Sequence, residues 1–158
     1  MAFASLKETI YAWFTKNPLG IEHGGTGAAT PAEACVNLGV IQTEDSGWIT
    51  LPLEDGVTAK TNGGFNTPQY RKINDHVIIQ GSVTMTSSSN EAVIIGTLPT
   101  GYRPINTVHK LIPCGGSRIA RMYIDNSGNI KLEWIKNLVD GESVAVEQWF
   151  TINVDYYI

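Results

Sequence analysis

The sequence is short of charge. Of its 158 residues only 16% are Asp, Glu, Lys or Arg, against roughly 25% in an average soluble protein. It has two cysteines, Cys35 and Cys114, and three histidines. Two distant cysteines make no disulfide framework, and without a CxxC or a His/Cys cluster they make no zinc site. Both read as free, small hydrophobic residues. No apolar run approaches the ~18–20 residues of a membrane-spanning helix, so no membrane insertion is expected. A hydrophobic fraction of 42% with so little charge does not suit a disordered chain. A net charge of −4 lacks the basic face of a nucleic-acid binder. What the chain does have is glycine, 16 residues of it, and few charges to hold copies apart. That profile points to surface hidden in an oligomer. The length fits one domain, or one domain with a short appendage.

The character of the chain changes near residue 46, from helical to β. At the start, Ser5 and Glu8 have capping-box spacing. Leu6, Ile10, Trp13 and Phe14 then share one helical stripe. Lys7 and Glu8 interrupt the apolar residues, so this segment reads as an amphipathic helix and not as a signal peptide. Asn17-Pro18 stops it. A helix this short is marginal alone, so the stripe is expected to dock, on other copies or on a host structure, the alternative being that it folds back onto its own β-domain. A second capping box is Thr30-Pro31-Ala32-Glu33, with Pro31 at the first helical position and Gly39 at the C-terminal stop of a helix over 31–38. Between the two helices lies Gly24-Gly25-Thr26-Gly27. It is no phosphate loop, because the closing Lys-Ser/Thr and the preceding strand are missing.

From residue 47 the pattern is short strands and turns. Turns are read at Glu54-Asp55-Gly56, Asn62-Gly63-Gly64, Asn74-Asp75, 87–90, Asp125 to Asn129 and Asp140-Gly141-Glu142. The Asn74-Asp75 turn makes a tight hairpin. A strand over 76–86 places Val77, Ile79, Val83 and Met85 on one face. A long alternating strand over 143–157 places Val144, Val146, Gln148, Phe150, Ile152 and Val154 on one face and Glu147, Trp149, Thr151, Asn153 and Asp155 on the other. About eight strands without helical crossovers predict a mainly β fold, an antiparallel sandwich or jelly roll behind short N-terminal helices and a glycine-rich neck.

Catalytic sets are absent from the sequence. His23, His76 and His109 have no metal spacing, and no GxSxG or HExxH occurs. The loop from Asp125 to Asn129 lacks the distal Glu of a calcium loop and reads as a hairpin turn. Glu133 and Glu147 pair on paper as glycosidase carboxylates, but any sandwich with this many acids offers such pairs. The chain therefore reads as non-enzymatic, with no catalytic residue, no metal and no cofactor. Aromatic residues say more. Trp149 falls on the polar face of its strand, and Trp48, Tyr102 and its neighbour Arg103 fall at strand edges or loops. A ring on a polar β face suits stacking on the apolar side of a sugar or a subunit interface, and a buried, self-satisfied Trp is the third reading. Trp134 shares a face with Ile130 and Leu132 and reads as core.

Two stretches carry a resemblance. Leu19-Gly20-Ile21-Glu22-His23-Gly24-Gly25-Thr26-Gly27-Ala28-Ala29-Thr30, continuing to Asn37-Leu38-Gly39-Val40, resembles the GGTGA…NLG repeat of phage tail-fibre proteins, where it often marks the neck before a receptor-binding head. Gln69 to Ile73, Val77 to Val83 and Leu98-Pro99-Thr100-Gly101-Tyr102-Arg103-Pro104 look, more loosely, like the small C-terminal heads of phage receptor-binding and baseplate proteins. The resemblance implies a virion component made in the host cytoplasm. It also implies a homotrimer with its neck on the threefold axis, and a head that binds cell-wall saccharides or teichoic acids. It carries over no binding residue, because such heads share no saccharide motif. It departs from long fibres in having no shaft. The expected organisation is an attachment helix over 1–18 for another virion or tail protein, a neck over 19–46, and a head over 47–158. A fibre tip that binds a host glycan, a purely structural virion part and a glycan-cleaving tip all remain open at this point. The candidates for glycan or trimer contact are Trp48, Tyr102, Arg103 and Trp149. Those for attachment are Leu6, Ile10, Trp13 and Phe14, and Gly24, Gly25 and Gly27 form the neck.

Overall fold

Two helices and eleven strands make up the described residues of the computed structural model, which are 3–17, 19–21, 25–85, 92–141 and 148–158. The chain divides into two compact units, residues 1–43 and 44–158. The first holds α1 (Phe3–Lys16) and α2 (Pro31–Asn37). The second holds β1 (Ile49–Thr50), β2 (Val57–Ala59), β3 (Gln69–Ile73), β4 (His76–Gln80), β5 (Ser82–Met85), β6 (Val93–Thr97), β7 (Val108–Cys114), β8 (Arg118–Ile124), β9 (Asn129–Asn137), β10 (Gln148–Thr151) and β11 (Val154–Tyr157).

In the first unit, α1 starts at Phe3, so Ser5 lies inside its first turn and is not the expected cap. Both the backbone N–H and the side-chain amide of Asn17 donate to the Trp13 carbonyl and close the helix. α2 buries no residue and depends on its caps. The Glu33 N–H donates to Thr30 Oγ1 at 3.3 Å, and Glu33 Oε2 accepts from the Thr30 N–H at 3.2 Å, so this capping box forms as read. The chain before it folds back on itself. Gly25 N–H donates to the Gly20 carbonyl and Gly27 N–H to that of Leu19. A Cβ at Gly25 would lie 2.2 Å from the Leu19 oxygen, so only glycine fits there. Asn37 Nδ2 donates to the Thr26 carbonyl at 3.0 Å. The two halves of the GGTG…NLG motif thus hold each other. Gly24 and His23 lie outside the described residues.

The second unit is two antiparallel sheets, ordered β1-β3-β4-β11 and β2-β5-β10-β7-β8-β9-β6. Between them Phe150, Leu51, Ile79, Ile95, Leu98, Met122 and Ile130 are almost fully buried, the alternate residues of each strand pointing inward. Each of the two long strands read from the sequence proves to be two. The stretch 76–86 breaks at Gly81 into β4 and β5, and the C-terminal stretch breaks at Ile152-Asn153 into β10 and β11. At both breaks the chain leaves one sheet for the other, so β4 pairs with β11 in the first sheet and β5 with β10 in the second. Gly81 has φ +126°, and a Cβ there would lie 2.5 Å from Pro68 Cα and 2.6 Å from the Thr67 oxygen. Its N–H donates to Asn153 Oδ1 and its carbonyl accepts from the Ile152 N–H. The corner is therefore a glycine pressed on backbone and tied to the neighbouring strand.

The local turns form as read. Asn74 takes φ +53° in a two-residue turn that sets Ile73 opposite His76. Asp125 Oδ1 accepts from the N–H groups of Ser127 and Asn129 and closes the β8–β9 hairpin. Cys35 and Cys114 are free. The 87–90 turn and residues 142–147 lie outside the described residues, as does the side chain of Trp134. Among the described residues no helix is long and apolar enough to cross a membrane.

Candidate functional site

The strands that turn the corner carry a stripe of outward side chains across both sheets. On β4 and β5 these are His76, Ile78, Gln80 and Thr84, with Ser82 on the same face but buried, and on β10 and β11 they are Trp149, Thr151, Asn153, Asp155 and Tyr157. The register sets Trp149 opposite Thr84, Thr151 opposite Ser82, Asp155 opposite Ile78 and Tyr157 opposite His76. At ~3.3 Å per residue the stripe runs at most about 26 Å from Trp149 to Tyr157.

One end is aromatic and polar. Trp149 is half-buried, its ring 4.9 Å from that of Phe65 at 51°. Its indole lies on Gly115, where a Cβ would come within 2.7 Å of Nε1. Around it, Thr58, Lys60, Asn62, Thr84, Gln148 and Trp149 line an open groove of about 380 Å³. Beyond Phe65, Asn66, Ser82, Thr151 and Asn153 line a depression of about 210 Å³. Asn153 also lines the next one, of about 290 Å³, with His76, Gln80, Lys110 and Asp155. At that end the His76 and Tyr157 rings stack at 4.7 Å, and His76 Nε2 lies 3.1 Å from Asp155 Oδ2. Rings at both ends with hydroxyls and amides between them suit an extended polar ligand with apolar faces.

The other sequence candidates lie elsewhere. Trp48 is 40% exposed, with the Arg71 guanidinium 5.7 Å from its ring. Arg71 in turn makes a two-pronged pair with Asp45. That guanidinium, together with the Gly47 N–H, holds the Asp45 carboxyl down at about 2. Tyr102 packs edge-on against Tyr70 at 4.9 Å, and its carbonyl accepts from the Tyr156 hydroxyl at 2.6 Å. Arg103 Nε donates to the Leu98 carbonyl at 3.0 Å. Tyr102 and Arg103 thus hold the 98–104 bend, and neither lines the groove. On α1, Leu6, Ile10, Trp13 and Phe14 are 47–60% exposed, an apolar stripe with nothing over it among the described residues of its unit. Phe65, Lys60 and Thr58 were not singled out in the sequence. Their one signal was local, the Asn62-Gly63-Gly64 turn that returns the chain, and they reach Trp149 only through the long-range pairings of β2 with β5 and of β5 with β10.

Several carboxylates of the head are occupied. Asp45 pairs with Arg71, Glu133 with Arg121, Asp155 with His76, and Asp125 with Lys131 at 2.9 Å. Burial by itself would raise the Asp125 carboxyl, but hydrogen bonds from Lys131 and Asn129 outweigh it and hold the group at about 2. Glu133 is thus tied to a cation, and Glu147 lies outside the described residues. Among the described residues no group of three or more His, Cys, Asp or Glu is placed to hold a metal.

A comparison with curated proteins gave no match. Among solved structures the chain is similar to the receptor binding protein (gp15) of Listeria phage PSA, at 17% identity and a TM-score of 0.50, over 99% of this chain and 96% of that one. At that identity the likeness is one of fold. Residues 42–153 match the model of the YomR C-terminal beta sandwich domain, a span that takes in β1 to β10 and the groove around Trp149, and the chain belongs to that family.

Proposed function

We propose that the chain is the receptor-binding tip of a phage or phage-tail-like particle, a homotrimer that adheres without catalysis to a host cell-surface glycan. The observation that carries this reading is the groove at Trp149. An indole braced by Phe65 and Gly115 offers a flat apolar surface, and Thr58, Asn62 and Thr84 ring it with hydrogen-bonding groups. A sugar ring has the complementary pair of surfaces, an apolar C–H face and a rim of hydroxyls. The likeness in fold to a protein named as a phage receptor binding protein, over nearly the whole chain, supports the same reading. The exposed stripe of α1 would attach the tip to another virion or tail protein, which removes large apolar side chains from water.

The test is retention of the protein on immobilised bacterial wall polysaccharides. Trp149→Ala is expected to lose at least about 2 kcal/mol of binding, roughly thirtyfold, while keeping its thermal midpoint within a few degrees. Retention on none of the polysaccharides tested would overturn the adhesive reading in favour of a structural virion part, and release of reducing sugar would overturn the non-catalytic one. A solution mass of one chain at micromolar concentration would refute the trimer.

A further inference from the structure

One Asn-Gly pair occurs in the sequence, Asn62-Gly63, and the fold puts Asn62 on the rim of the Trp149 groove. An Asn side chain followed by glycine is open to attack by the next backbone nitrogen, because the attack closes a five-membered ring and no Cβ on the next residue crowds it. The local structure leaves room for this. Asn62, Gly63 and Gly64 are all exposed, between the end of β2 and the start of β3. Gly63 has φ +75° and Gly64 φ +84°, and among the described residues a Cβ at either would meet only the Phe65 ring, at 3.8 Å. Asn74 is the contrast. A side chain follows it, at Asp75, and its Oδ1 accepts from the Glu44 N–H at 2.9 Å. At Asn62 the amide is activated instead. Lys60 Nζ donates to Asn62 Oδ1 at 3.2 Å, which draws charge from Cγ and steadies the oxyanion that forms when nitrogen adds there.

The loop is also pinned at both ends. The Lys60 N–H donates to the Ser82 carbonyl at 2.8 Å, and the Ser82 N–H donates to the Asn66 carbonyl at 3.1 Å. Between these bonds lies Phe65, whose ring stands 4.9 Å from that of Trp149.

We infer that Asn62 is a self-modifying site, activated by Lys60, whose conversion turns the groove rim acidic and lengthens the loop that holds Phe65. Hydroxide takes the Gly63 N–H proton, and the nitrogen adds to Asn62 Cγ. The C–NH2 bond then breaks, and ammonia leaves with a proton from water. The resulting succinimide adds water at either carbonyl. Opening at the side-chain carbonyl gives aspartate. Opening at the main-chain carbonyl gives isoaspartate, with an extra methylene in the backbone. Both products carry a carboxylate beside Lys60. The extra methylene has to be absorbed between the two Ser82 bonds, by the segment that places Phe65.

The full chain is held folded at pH 8 and sampled over days. Peptide mass spectrometry is expected to find a gain of about 1 Da, the exchange of –NH2 for –OH, on the peptide that holds Asn62. Methyl transfer specific for isoaspartate should label that peptide. Asn62→Gln should lose the gain at this position, because its ring would have six members. Lys60→Met should slow conversion about threefold, the scale of an exposed charged contact. No gain in the folded chain, while the same chain unfolded in guanidinium is converted, overturns the inference. Equal rates with and without Lys60 overturn the activation. Anion exchange separates the converted protein by its added charge. On the adhesive reading above, that fraction should bind wall polysaccharide about tenfold more weakly, because its aromatic platform is displaced, and equal retention overturns the effect on the groove. Retention of neither fraction overturns the adhesive reading, and the mass gain alone then decides the modification.

Discussion

Replacing Gly81 by alanine tests the corner on which the head and its groove are built. Two costs apply. The backbone there has φ +126°, where an L side chain costs roughly 1–3 kcal/mol. The new Cβ also meets Pro68 Cα, Pro68 N and Thr67 O at 2.5–2.6 Å. These are backbone atoms and no rotamer change relieves them, so the overlap adds about 1–3 kcal/mol, as overpacking does. A loss of roughly 2–6 kcal/mol is large against a total stability of about 5–15 kcal/mol, and it lowers the thermal midpoint by about 10 °C in a chain of this size. Gly56→Ala separates the two costs. Gly56 has φ +80° with nothing within 4 Å of its Cβ position, so it bears the conformational cost alone, about 1 kcal/mol and a few degrees. The assay is thermal unfolding followed by circular dichroism, with all proteins at one concentration because self-association shifts the midpoint. Equal shifts for the two variants would show that the contact with Pro68 and Thr67 does not shape the corner.

Gly115→Ala brings a methyl within 2.7 Å of Trp149 Nε1. It should tilt the indole and weaken retention on wall polysaccharide about tenfold for a stability loss near 1 kcal/mol; undiminished retention would detach Trp149 from ligand binding. Asp125 is held at about 2 in the folded head. Its stabilisation is therefore complete above the ordinary carboxylate value near 4 and fades as pH falls through 2. Asp125→Asn should lower the thermal midpoint at pH 6 and flatten its decline between pH 4 and 2, and parallel profiles for the two proteins would count against the assignment. Burial pushes the Cys114 thiol up to about 11, so at pH 8 a thiol reagent should label the half-exposed Cys35 in the native protein and Cys114 only after unfolding. Labelling of both at one rate would refute the burial of Cys114.

Some of this was legible in the residues. The Thr30–Glu33 box, the Asn74-Asp75 hairpin and the Asp125 loop each close within a few residues through a side chain or a tolerated φ, and such chemistry is written locally. The inward set Val77, Ile79, Val83, Phe150 and Ile152 was legible too, because alternation survives folding. The corner was not. The parity of buried residues runs unbroken through Gly81 and Ile152, so one strand bent across two sheets reads the same as one straight strand. What bends it is Pro68, which pairing brings against Gly81. Trp149 was placed on the polar face, but Phe65 and Gly115 cover it in part. Tyr102 and Arg103 looked like contact residues because they sit in a loop, whereas their partners Tyr70 and Leu98 are core residues.

The sequence by itself determined the class of this protein, a β head behind two short helices, because turn chemistry and alternation are properties of neighbouring residues. Only the tertiary structure decided that the polar face crosses a sheet corner, that Lys60 and Phe65 stand beside Trp149, and that the 98–104 bend is braced from within. Those facts depend on strand pairings between distant parts of the chain, and a pairing is a choice among many faces that individual residues do not record.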